Sequence, residues 1–227
     1  MTKLSDQILQ KTIVNQSVSA KRARGGDGER RAAILECAEQ VFLEHGFQAA
    51  SMSAIAARVG GSKGTLYNYF PSKDDLFLAC VSRHCAGLQQ QMSTLIAEGA
   101  DVRETLTRMG RRFIEVVFSD DVVRKFRMVV AEAERTPAIA RAFYETGPQA
   151  GSEILAAYLE QAMEQGLLIR TDPVRAARYF IGLCTNWLSK ARLCNVVGAP
   201  TQEEVAADVD EAVRIFLAAY GADAAKT

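Results

Sequence analysis

The sequence predicts an all-α protein, on three observations. Stretches that alternate β-branched and polar residues in the period of a strand are scarce. Apolar residues recur instead at three- and four-residue spacing. Helix-ending Gly and Pro, and helix-starting Ser, Thr and Asp, return every 10–25 residues.

Residues 1–27 read as a flexible arm, rich in Ser, Gln, Lys and Asn and ending in KRARGGDG, whose glycines block helix growth. The KRAR run suits either a solvated tail or an arm that follows DNA phosphates or a minor groove. From Glu29, Ile34, Ala38, Val41 and Phe42 fall on one face of a first helix that stops at His45-Gly46. Ser51 caps a second, short helix with Met52, Ile55, Ala56 and Val59 as its buried stripe, ended by Gly60-Gly61. Ser62 caps a third short helix, closed by Pro71. Ser72 caps a long fourth helix from Lys73 to about 97. Five more segments follow, near 102–118, 122–134, 138–165, 173–194 and 202–219. Asp172-Pro173 is a clean helix start, and Gly147-Pro148 predicts a kink or split. The count is nine helices and no sheet.

Lys plus Arg and Asp plus Glu each total 27, so the net charge is zero and a nucleic-acid surface has to be local. The five cysteines form no CxxC pair, which argues against a disulfide framework or structural zinc and for a reducing cytoplasm. Cys80, His84 and Cys85 are too few for a zinc site, so no metal or cofactor is expected. Cys194 reads as a small hydrophobe or a redox sensor. No apolar run reaches membrane-spanning length. Nucleophile elbow, Walker loop and HExxH are absent, and the paired acids sit at helix starts, where the helix dipole accounts for them. An enzyme is not expected.

Three short helices, the last two joined by a glycine turn, have the layout of a helix-turn-helix unit. On the third helix, Leu66 and Phe70 face inward and Asn68 lies opposite them, between Gly64 and Thr65. Such a stripe suits a major groove about 12 Å wide, where Asn reads adenine and Thr touches a thymine methyl. Gly64 permits close backbone approach. Tyr67 and Tyr69 on the flanks, with Lys63 and Lys73 at helix starts, are placed to reach phosphates. Packing under neighbouring helices is the other reading of either tyrosine.

The run MSAIAARVGGSKGTLYNYFPSKDDLF resembles the DNA-binding domain of TetR-family transcriptional repressors. Ile55-Ala56, Gly60, Ser62, Gly64-Thr65-Leu66-Tyr67, Tyr69-Phe70, Lys73 and Leu76-Phe77 carry the likeness, which covers about residues 29–80. Gly61 departs from it, standing where the family usually has an apolar residue, and loosens the expected turn. The stretch from about 112 to 183 is similar to the C-terminal domains of the AefR-like subgroup. The resemblance implies a nine-helix TetR-like fold: an arm over 1–27, a DNA-binding domain over 28–72 in which Ser51 and Ser62 join the DNA contacts, and a ligand-binding, dimerising domain over 73–227. It also implies a pocket, for which Phe113, Phe118, Phe143, Asn186 and Trp187 are lining candidates. Core packing is the alternative for each. The last two helices are expected to pair with a second copy. Val205, Val209, Ala212, Val213, Phe216, Leu217 and Tyr220 offer a wide apolar face for that. The expected function is a homodimeric repressor on a near-palindromic double-stranded operator, released by a small apolar effector. An activator, or a helical ligand-binding dimer without operator binding, is the alternative.

Overall fold

The computed structural model describes residues 25–98 and 101–222. The predicted arm therefore lies, up to residue 24, outside the described residues. Its last residues depart from expectation: the first helix, α1 (Gly25–Ala49), already includes Gly25, Gly26 and Gly28. Glycine costs a helix up to about 1 kcal/mol per residue. Here Asp27, favourable in a first turn, also accepts a hydrogen bond from the Tyr69 hydroxyl, which offsets part of that penalty.

α1 bends at Gly46, where φ is 76°, as the His45-Gly46 stop foresaw. It is followed by α2 (Met52–Val59), α3 (Lys63–Tyr69) and α4 (Lys73–Glu98). The Ser72 hydroxyl accepts from the Asp75 amide at 3.0 Å and donates to its carboxylate at 2.7 Å, which starts α4. Then come α5 (Val102–Val117), α6 (Asp120–Glu132), α7 (Pro137–Tyr144), α8 (Ala150–Glu164), α9 (Pro173–Thr185), α10 (Leu188–Leu193) and α11 (Gln202–Tyr220). The described residues thus form eleven α-helices and no strand, because two of the nine predicted segments divide. A wide π turn, Glu145–Gln149, joins α7 to α8 and accommodates Pro148, which has no amide to donate. The other break is Asn186, at φ 23° and ψ −128°.

Two apolar cores result. Phe42, Phe47 and Phe77 meet with ring centroids 5.0–5.9 Å apart and organise α1–α3 with the start of α4. Leu106, Met109, Leu159, Phe180, Val209 and Phe216 anchor the second, from α5, α8, α9 and α11. Helix α4 runs from one to the other: Leu76, Phe77 and Cys80 lie in the first, Met92 in the second. Val129 of α6 and Ile139 of α7 also enter the first core.

The stripe expected to face a second copy is largely buried inside this chain. Val205, Val209, Ala212, Val213 and Phe216 are at most 3% exposed. Within the last two predicted segments, 173–194 and 202–219, the large apolar groups left exposed are Val174 and Tyr179 on α9, Trp187 at the α9–α10 break and Ile215 on α11.

Candidate nucleic-acid interface and interior cavity

The α2–α3 unit is set by its caps. Ser51 and Ser62 are both exposed, and their hydroxyls accept from the amides of Ala54 (3.1 Å) and Thr65 (3.0 Å). Between the helices Gly60 takes φ 72°. Its amide bonds Ala57 O and the Gly61 amide bonds Ala56 O, the paired closure of a Schellman turn. The turn is therefore not loosened by Gly61. A Cβ there would lie 2.7 Å from Arg30 Nη2, so the α1 guanidinium occupies the space an apolar side chain would fill. Arg58 grips Glu44 through two bonds of 2.5 and 2.7 Å and ties α2 to α1.

On α3, Leu66 and Phe70 are buried, while Lys63, Gly64, Tyr67 and Asn68 are exposed and Thr65 is half-buried. The Lys63 ammonium stands 5.7 Å from the centre of the Tyr67 ring, and the Thr65 and Ser62 hydroxyls are 2.8 Å apart. A Cβ on Gly64 would meet only Ser62 Oγ, at an ordinary 3.7 Å. The fold does not require that glycine.

Two expected phosphate contacts are otherwise engaged. Lys73 donates to Phe47 O (2.8 Å), Gln48 O (3.2 Å) and Ala50 O (3.2 Å), and sits 4.4 Å from the Phe47 ring centre. All three of its protons cap the end of α1. Tyr69 is half-buried and gives its hydroxyl proton to Asp27, whose carboxylate raises the phenol pKa above its ordinary value.

Between the two cores lies a cavity of about 280 Å³. Phe113, Phe118 and Phe143 line it, together with Phe126, Phe180, Met92 and Met109. Asn186 and Trp187 do not. The Asn186 carboxamide accepts from the Trp187 and Leu188 amides and so starts α10, and the break turns Trp187 out to 61% exposure. Polar residues line it as well, Gln89, Lys125, Ser152, Thr185 and Ser189, none of them expected from the sequence; the two that are almost fully buried are Lys125 and Ser152. A readable signal existed. Lys125 shares a stripe with Val122, Phe126 and Val129, and Ser152 with Leu155, Ala156 and Leu159, so each interrupts an apolar face. Ser152 is 6% exposed and its hydroxyl has no hydrogen-bond partner among the described residues. Lys125 reaches out of the cavity wall to Glu39 of α1.

No group of three or more His, Cys, Asp or Glu among the described residues is arranged for a metal, and the His84 side chain lies outside those residues. No described helix is long and apolar enough to cross a membrane.

Comparison with known proteins agrees with this architecture. Residues 34–80 match the bacterial regulatory proteins of the tetR family, and residues 104–222 match the C-terminal domain of AefR-like transcriptional repressors. The transcriptional activator FasR of Mycolicibacterium smegmatis is 34% identical over 108 residues, 44% of this chain and 49% of that protein. This chain thus spans about half the length of that curated relative. The flavonoid-responsive regulator FrrA is 34% identical in a solved structure with a TM-score of 0.72, covering 86% of this chain and 98% of that one. A TetR-family regulator structure from Mesorhizobium loti gives a TM-score of 0.79 at 27% identity, over 88% and 100%.

Proposed function

For this chain, which belongs to the TetR family of transcriptional regulators and carries its helix-turn-helix DNA-binding unit, we propose the role of a cytoplasmic homodimeric repressor that a small molecule releases from its operator. The observation that carries this reading is the course of α4. Its first turns pack against the helix-turn-helix core through Leu76, Phe77 and Cys80, and its middle lines the cavity through Val81, Cys85, Leu88 and Met92.

Residues 28–72 act as the DNA-binding domain and 73–227 as the ligand-binding and dimerisation domain, with 1–27 as an arm. Lys63, Gly64, Thr65, Tyr67 and Asn68 enter the major groove, with Ser51 and Ser62 at its edge. Phe113, Phe118 and Phe143 hold the apolar body of the effector. The exposed Tyr179 and Ile215 contribute to the dimer contact. A molecule that binds the cavity better in one arrangement of α4 than in another shifts operator affinity by that difference, about 1–3 kcal/mol of coupling. Activation is the second reading, favoured by the activator FasR among the similar proteins.

A gel-shift titration with DNA from upstream of the gene tests the proposal. The role predicts a discrete complex, base preference altered by Asn68→Ala, and uniform weakening by Tyr67→Ala. Binding indifferent to both substitutions contradicts it.

A further inference from the structure

Lys125 is the one charged side chain among the described residues that line the cavity, and it is 8% exposed. Its ammonium donates to one carboxylate oxygen of Glu39, and Arg83 holds the other at 3.0 Å. Glu39 therefore has a partner on the cavity side and a partner on the solvent side. The Lys125 side chain is 10% exposed and that of Arg83 44%. Burial disfavours the lysine charge and lowers its pKa, so the ammonium depends on a nearby anion. The unpartnered Ser152 hydroxyl supplies a second polar contact in the same apolar space.

We propose that the cavity takes an apolar molecule ending in a carboxylate, and that this head group competes with Glu39 for Lys125. The inference rests on reading the cavity as the effector site. Two carboxylates on one buried ammonium repel each other strongly, because the surrounding dielectric is low. The incoming head therefore drives Glu39 outward to Arg83. Glu39 belongs to α1, which also supplies Asp27 to Tyr69 of α3 and Arg30 to the space beside Gly61. Releasing Glu39 removes one of the ties between α1, on which α3 is seated, and α6 of the cavity wall; the Gln48–Glu132 hydrogen bond and the packing of Val129 remain.

The test is calorimetric titration of the full chain with decanoate and with decanol, which differ only at the head. The expected result is decanoate binding at least about tenfold tighter than decanol, as a charge-assisted hydrogen bond supplies. Lys125→Met abolishes the preference. Glu39→Gln removes the competitor, tightens decanoate and leaves decanol unchanged. This second variant keeps a hydrogen-bonding group and decides the matter if Lys125→Met fails to fold. Equal affinity for the two probes, or weaker decanoate binding by Glu39→Gln, overturns the inference while the cavity reading stands. Binding of neither probe overturns both.

Discussion

Gly64→Ala separates what the fold needs from what DNA binding needs. The added Cβ meets only Ser62 Oγ at 3.7 Å, an ordinary contact, on an exposed residue of a seven-residue helix. Alanine is favoured over glycine in helices by up to about 1 kcal/mol. For a chain of this size that raises the melting temperature by about 1–4 °C. On DNA the methyl group stands between the α3 backbone and the groove. If α3 retreats enough to lose one base contact, affinity falls by about 1–3 kcal/mol, roughly 5- to 150-fold. Thermal melting and fluorescence anisotropy on one operator duplex measure both effects. Gly110→Ala is the control: its Cβ would stand 2.8 Å from Val209 Cγ1, so α5 and α11 must part and stability falls by about 1–3 kcal/mol. A Gly64→Ala protein that is more stable and binds DNA unchanged refutes the close-approach argument. A clear loss of stability refutes the packing argument.

Lys73→Met leaves three carbonyls at the end of α1 without their donor and lowers stability by about 1–3 kcal/mol in urea unfolding. The salt slope of DNA binding stays unchanged, whereas a phosphate-contacting lysine would reduce it by about one unit. Tyr179→Glu, at a position 55% exposed in the protomer, leaves the far-ultraviolet dichroism intact and shifts sedimentation from dimer to monomer. An intact dimer would remove α9 from the interface. Burial pushes the thiols of Cys80 and Cys184 up to about 12. A thiol reagent at pH 8 therefore labels the exposed Cys194 first and reaches Cys80 and Cys184 only at the rate of unfolding.

What was legible in the sequence was local. The Ser51, Ser62 and Ser72 caps and the Gly60 turn each depend on neighbours within five residues, and they lie where the motif puts them. The carbonyl partners of Lys73 were not legible because they lie 23–26 residues back, brought to it only by the packing of α1. Tyr69 finds Asp27 across 42 residues for the same reason. Trp187 belongs to the stripe of Phe180 and Cys184 only if the helix continues, and Asn186 breaks it. Periodicity marks an apolar face on α11 without saying whether that face meets its own chain or another. The three cavity phenylalanines were readable as large apolar groups on facing helices, whereas the cavity itself is a property of how α4–α9 pack.

The proposed role requires sequence-specific recognition of DNA by a dimer. Genome-fragment binding followed by sequencing, repeated across a salt series, tests it most directly. A dimer of this kind selects fragments sharing a near-palindrome with half-sites about 34 Å apart, with an affinity that falls steeply as salt rises. Fragments without a shared sequence, or binding that salt does not weaken, would contradict it.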